Sequence, residues 1–359
     1  MQKFFMLLFM GLALTCTLPA QQLTPFSTGT AYNYLWGFKD AAGKIVVEPI
    51  YTKRPYFYNG FAVVVIKEKK GLIDINAKPL TEVKYDDIAN FISDGLFMVA
   101  IASNYGFIDT TGKEVIPLIY SDANDFKSGC ALVSQDKKKF FINKTGKNII
   151  ALDDYEETNK SFSEGLCGVK KAGKWGFMNV SGKIIIPCKY DKVEPMKEGL
   201  APVIFGGTPG EYGQLKGGKY TFIDKTGKQL IPFKYAYLAP FNEGIAVVNI
   251  GGKLDLYGYA SGGKWGYIDK TGKEITPIKY NFSQSSSEGL AAVNIGGTFQ
   301  DDHMGGNTFV GGKWGYVDSK GKEVIALVYD KAGEFYDGKA TVVKNGMSVT
   351  INKKGVIVN

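Results

Sequence analysis

Histidine and arginine are almost missing from this chain: His303 and Arg54 are the sole examples of each in 359 residues. With one histidine there is no His-based zinc set and no Ser-His-Asp triad, so neither is expected. With one arginine the chain lacks the planar forks that grip phosphates and guanines, which argues against a dedicated nucleic-acid reader. The formal charge of +8 is carried by lysine and falls by one if Lys3 is removed with the leader described below. Cysteine is scarce as well. Cys130, Cys167 and Cys188 lie in strand-like segments with no close pair of zinc-binding spacing, and buried free thiols are the expectation. Beyond the first twenty residues no apolar run approaches the ~20 residues of a membrane helix, so no transmembrane segment is expected in the mature chain. Paired glycines such as Gly251-Gly252 and Gly262-Gly263 do not lead from a strand into a helix, which removes phosphate loops from consideration.

What the sequence does have begins with a leader. Lys3, the apolar run Phe4 to Thr15, and Leu18-Pro19-Ala20 before Gln21 have the three parts of a secretory signal peptide, predicted here over residues 1–20. Export to the periplasm, the cell surface or the medium follows from it. Cys16 after Ala13-Leu14-Thr15 leaves lipid anchoring as an alternative, although Thr15 fits that pattern poorly. Residues 21–34 read as a linker or a first strand, and the repeats fill 35–359.

The repeats are plain once segments are set under one another. LWGFKDAAGKIVVEPIY from Leu35, KGLIDINAKPLTEVKY from Lys70, YGFIDTTGKEVIPLIY from Tyr105 and KFFINKTGKNIIALDDY from Lys139 form the first half. KWGFMNVSGKIIIPCKY from Lys174, KYTFIDKTGKQLIPFKY from Lys219, KWGYIDKTGKEITPIKY from Lys264 and KWGYVDSKGKEVIALVY from Lys313 complete the series. We number these copies one to eight. Gly43, Gly112, Gly146, Gly182, Gly227, Gly272 and Gly321 mark their turns, with Ala77 in the slot of copy two and Gly355 in a truncated ninth. A second signature recurs after each exit tyrosine, as in Phe162-Ser163-Glu164-Gly165-Leu166 and Phe241-Asn242-Glu243-Gly244-Ile245.

Each copy reads as three strands. In copy seven these are Ala246-Val247-Val248, Trp265 to Ile268, and Glu274 to Pro277, the last two joined by Asp269-Lys270-Thr271-Gly272. The Asp side chain caps this turn while Gly takes its left-handed position. Pro117, Pro187, Pro232 and Pro277 remove a ladder donor and belong where the third strand bends or ends at an edge. The fold class is therefore all-β, a tandem array of about eight three-stranded antiparallel hairpin or meander repeats. An open curved stack is preferred, because nothing is visibly split between the termini, and a closed β-propeller is the alternative.

The W-G-aromatic-aliphatic-Asp run, the T-G-K turn, the I-P-x-x-Y exit and the F-x-E-G-L-A-x-V return occur in that order. In this the chain resembles the WG repeat family, also called KWG repeats, of bacterial exported and intracellular proteins. The resemblance implies an array of β-hairpin units used for binding, with no common activity or catalytic residue.

Trp36, Trp175, Trp265 and Trp314 occupy one repeat position, filled elsewhere by Tyr105, Tyr220, Lys70 and Lys139. A wedge between neighbouring units is the preferred role, and a ladder of rings for sugars or peptides is the alternative. Three insertions, Phe205 to Gly218, Gly251 to Gly263 and Gly296 to Gly312, lengthen the chain just before a W-G strand. They are expected to project as adjacent arms, because equivalent positions of stacked units lie side by side. Their candidate ligand-binding residues are Tyr212, Tyr257, Tyr259, Asp255, Phe299, Asp301, Asp302 and Phe309, an aromatic and acidic mixture suited to carbohydrate or peptide. Solvated hairpin tips are the plainer reading. His303 reads as a surface-loop residue. The expected function is a non-enzymatic binding module of the cell envelope or exterior, with the arms after copies five to seven as its recognition edge. No cofactor, metal or nucleic acid is expected, and the partner is a glycan or protein. A passive structural or assembly role is the alternative, and a glycan hydrolase with a hidden carboxylate pair is a further one.

Overall fold

The computed structural model describes residues 23–30, 33–210, 215–255, 260–301 and 307–358, and every regular element among them is a β-strand. The leader 1–20, with Lys3 and Cys16, lies outside the described residues. The chain gathers into two compact units, Met1–Asp125 and Phe126–Asn359. In the first, Thr24–Thr28 pairs antiparallel with Leu35–Lys39, so part of the stretch before the repeats is a strand. The most regular sheet of that unit is a meander of Asp87–Ile88, Leu96–Ile101, Asn104–Asp109 and Glu114–Tyr120. The second unit repeats it with Glu157–Thr158, Leu166–Lys171, Lys174–Asn179 and Ile184–Tyr190. A fourth, two-residue strand thus joins the three that the sequence predicts. Two residues are too few to show alternation.

The residue after the W-G pair is the buried centre of each sheet. Phe38, Leu72, Phe107, Phe141, Phe177, Phe222, Tyr267 and Tyr316 are all essentially inaccessible. Several of these rings meet the phenylalanine of the following return motif, at 4.9 Å for Phe141 and Phe162 and 4.5 Å for Phe222 and Phe241. Such ring pairs add ~0.5 to 1.5 kcal/mol beyond the area they bury.

The W-G glycine is explained by the third strand. In copy five, Trp175 pairs with Tyr190 and Phe177 with Ile186, so the outer strand bulges opposite Gly176. A Cβ on Gly176 would meet the Ile186 carbonyl oxygen and lie 2.7 Å from the Cys188 nitrogen. Pro187 sits in that bulge on an exposed edge, where its missing N–H costs nothing. Copy four has Phe140 in the glycine slot, and its third strand shortens to Asn148–Ala151 with a single register shift.

Copies two, six and seven depart from expectation: the third segment of each is no continuous strand and touches its neighbour through isolated bridges, at Pro79, Gln229 and Glu274 and at the exit tyrosines Tyr85, Tyr235 and Tyr280. In copy seven the Thr276 hydroxyl oxygen accepts the Tyr267 N–H at 3.1 Å in place of a ladder carbonyl. Thr81 does the same for the Leu72 N–H at 2.9 Å in copy two. The turn itself is as predicted. Asp269 Oδ1 accepts the Thr271 N–H at 2.8 Å, the Thr271 hydroxyl at 2.6 Å and the Lys273 N–H at 3.0 Å, while Gly272 has φ 83°.

Candidate binding site

The three insertions lengthen hairpins of the second unit. Leu200–Pro209 with Leu215–Asp224 forms the first arm, Lys253–Leu254 with Ala260–Ser261 the second, and Leu290–Asp301 with Asn307–Asp318 the third. At the bases of the last two, Asn249 and Asn294 are fully buried. Asn294 accepts the Gly297 N–H at 3.0 Å and donates to the Gly311 carbonyl at 3.1 Å, and Asn249 clamps Gly252 and Gly262 in the same way. Leu215 and Leu254 pack on one core cluster, and Leu254, Ala260 and Phe299 belong to the next. Side chains of successive arms thus pack on shared core clusters.

Of the candidate residues on these arms, Tyr212, Tyr257, Tyr259 and Asp302 lie outside the described residues, as does His303. Asp255 follows Leu254 and is half-buried. Asp301 ends its strand opposite Asn307. Phe299 and Phe309 face each other across the third arm with ring centroids 5.0 Å apart.

Those two rings turn onto a cavity of about 380 Å³, within the usual range of small-molecule sites. Tyr237, Trp265 and Phe282 supply its other aromatic walls, Ala239, Val247 and Ala260 its small apolar ones, and Ser283, Gln284 and Ser285 its polar side. Glu334, exposed to solvent, is the one carboxylate among the described lining residues. The rings touch in sequence: Tyr237 to Trp265 at 5.7 Å, Trp265 to Phe282 at 5.0 Å, and Phe282 stacked on Phe309 at 5.1 Å with planes 27° apart. Tyr267 sits beneath this wall, and its hydroxyl donates to the Gln284 carbonyl at 2.7 Å, fixing the segment that carries Ser283 and Gln284.

Three polar atoms of the lining residues, the Trp265 indole Nε1, the Ser283 hydroxyl and the Gln284 side-chain oxygen, are shielded from solvent and have no hydrogen-bond partner. Trp265 is only 3% accessible. A buried donor left unpaired costs ~1 to 3 kcal/mol, a local cost that the packing of the surrounding rings offsets.

The repeat-position tryptophans are not equivalent. Trp265 and Trp314 are buried among the rings just described, Trp175 is half-buried against its neighbouring copy, and Trp36, half-buried in the first unit, has the Arg54 guanidinium 5.3 Å above its ring. In copy seven one ring both wedges against a neighbour and lines the cavity. Sequence reasoning missed Tyr237, Phe282, Ser283 and Gln284, although a signal existed. Two positions after the exit tyrosine, other copies carry Asp87, Asp122, Lys192 or Lys331, whereas copies six and seven carry Tyr237 and Phe282. One position later Ser283 stands where Ile88, Val193 and Leu238 fill the core, and the smaller side chain leaves the space.

A further set of residues joins successive copies. Glu164, Glu198, Glu243 and Glu288 of the return motif all have left-handed backbones, with φ between 50° and 54°. Their carboxylates accept the N–H groups of Gly199, Gly244, Gly289 and Gly338 at 2.8 to 3.1 Å, each in the next return motif. Lys225 pairs with Glu164, Lys270 with Glu198 and Lys353 with Glu288, at 2.9 to 3.0 Å. For Glu164 and Glu198 burial works against ionisation, but the lysine and the glycine N–H outweigh it and hold the carboxyl below its usual range.

Among the described residues no group of His, Cys, Asp or Glu is placed to hold a metal, and no helix is long and apolar enough to cross a membrane. Cys130 and Cys167 are buried free thiols and Cys188 is half-buried. Burial pushes the Cys167 thiol up to about 11.

A family model described as WG containing repeat matches the chain at residues 36–69, 71–102, 105–138, 140–175, 175–208, 220–253, 265–299 and 314–347. No curated protein matches it. The fold is similar to the crystal structure of the eukaryotic initiation factor, with a TM-score of 0.50 at 11% identity, over 94% of this chain and 96% of that one. A weaker likeness, TM-score 0.36 at 9% identity, is to Hsv2p of Kluyveromyces lactis over 74% of this chain and 91% of that one. Another, TM-score 0.27 at 9% identity, is to PorZ, a bacterial surface component of the type-IX secretion system of Porphyromonas gingivalis, over 94% and 52%. The first likeness concerns the fold alone, and the other two carry no argument.

Proposed function

We propose that this chain, which belongs to the WG repeat family, is a non-enzymatic binding module of the cell envelope or exterior, exported by its residues 1–20. Its ligand is a carbohydrate or a peptide, held where the second and third arms meet the copies beneath them. The observation that carries this reading is the aromatic cavity, with ring walls facing a polar side of Ser283, Gln284 and Ser285. Binding is favoured over two-carboxylate hydrolysis by Glu334 being the one carboxylate among the described lining residues.

Deleting residues 297–311 joins Gly296 directly to Gly312, both already left-handed, in the two-residue turn that Ala172 and Gly173 form in a short copy. The shortened protein is expected to unfold cooperatively as a β protein. Probed on glycan and peptide arrays, it should lose the signals that the full chain gives. Signals retained in full by the shortened protein would remove the site.

A further inference from the structure

We propose that the cavity beneath the third arm takes one neutral pyranose ring of a glycan, an assignment that rests on the binding-module reading above and names its ligand. The polar side of the cavity carries an exposed hydroxyl, Ser285, beside the half-buried carboxamide of Gln284. A hydroxyl both donates and accepts, and a carboxamide offers a donor and an acceptor side by side. A ligand that pairs with these side chains must accept and donate over a short distance, as hydroxyl groups on one ring do. An aliphatic or aromatic peptide side chain would fill the volume and leave that polar side without a partner in the ligand.

The remaining walls fit the other half of a sugar's chemistry. A pyranose presents flat faces of C–H groups between its hydroxyls, and Phe309, Phe282 and Trp265 offer ring surfaces for them. The volume of about 380 Å³ has room for such a ring with part of its neighbour, and the exposed side gives a chain a way out. Charge selects against acidic sugars. Glu334 stands at the cavity, and no lysine or arginine is among its described lining residues.

The test uses the full chain labelled with nitrogen-15 at tryptophan, whose four indole N–H groups give four resolvable signals. Trp265→Phe identifies the signal of interest. Methyl pyranosides of glucose, galactose, mannose, xylose and N-acetylglucosamine are then titrated. At least one should shift the Trp265 signal saturably and leave that of Trp36 unmoved. Gln284→Leu should weaken that binding about tenfold, the equivalent of one hydrogen bond. Methyl glucuronide should bind less well than its neutral counterpart, and Glu334→Gln should narrow the difference. If no neutral pyranoside moves the signal, the sugar assignment is wrong. If N-acetyl-leucinamide or N-acetyl-phenylalaninamide moves it instead, the cavity remains a binding site and only its ligand class is overturned. If neither class moves it and array signals survive deletion of 297–311, the binding reading fails with it.

Discussion

Gly272 and Gly244 hold nearly the same left-handed backbone, with φ 83° and 80°, yet their surroundings differ. A Cβ on Gly272 would run into the Ile231 side chain of the preceding copy, whereas nothing lies within 4 Å of one on Gly244. Gly227 falls between them, with Ile186 Cγ2 at 3.2 Å. Sequence reasoning assigns the turn glycines to a left-handed backbone position. The structure adds a contact between copies to that role. Gly244→Ala should therefore lose ~1 kcal/mol, the left-handed penalty alone. Gly272→Val should lose that plus the ~1 to 3 kcal/mol of overpacking, and Gly227→Val an intermediate amount. Urea unfolding of the three variants gives the order directly; equal losses at all three would mean that the contact between copies contributes nothing.

The elements divide by how much of their cause is local. Turn and hairpin were readable because Asp, Thr and Gly at fixed offsets act within five residues, and the register of Leu166–Lys171 with Lys174–Asn179 follows from a two-residue link. The arms were readable as insertions between paired glycines. Their bases were not, because Asn249 and Asn294 look like ordinary strand residues until the bulge they clamp is seen. The first arm confirms the need for such a clamp: it has Ile204 in that slot, and the Gly207 N–H donates instead to Asp191 Oδ2 at 3.0 Å. Asn294→Ala should unpair Gly297 N–H and Gly311 carbonyl together and destabilise the second unit by ~1 to 3 kcal/mol. Amide exchange at Gly297 should quicken well beyond that at Gly207, and unchanged exchange there would deny the clamp its role. The cavity was the least legible part. It forms from Phe299 and Phe309 on one hairpin, Trp265 on another, and Phe282 to Gln284 between them, a convergence that no spacing along the chain announces.

Over the whole molecule, acid stability depends on where the depressed carboxylates lie. Glu164, Glu198, Glu243 and Glu288 form their series within the second unit, each accepting from the next return motif. A glutamate is a poor occupant of a left-handed turn position, where Asn, Asp or Gly is preferred, and first-unit copies place Asn59 and Asp94 there. Retaining Glu in four successive motifs makes sense if the longer side chain is needed to reach the next copy. The sign of the pH effect follows from the direction of the shifts. A carboxyl whose folded pKa lies below its unfolded value, here 4.5 for Glu, stabilises the fold fully above that value and loses its contribution as pH falls through the folded pKa. Glu198 is the cleanest to test, since its partners Lys270 and Gly244 are both placed and its side chain is a quarter exposed. Glu198→Gln keeps an acceptor for the Gly244 N–H and removes the ion pair. At neutral pH it should lower stability by no more than ~1 kcal/mol, given the solvent screening of such a pair. For a unit of this size that is a drop of ~2 to 4 °C in the unfolding midpoint. As pH falls below 4.5 toward 3, the wild-type midpoint should drop to meet that of the variant, because protonation removes from Glu198 what the substitution already removed. Calorimetry of the two proteins from pH 7 to pH 3 reads the gap directly. A gap that stayed constant across that range would mean that the charge of Glu198 does not hold successive copies together.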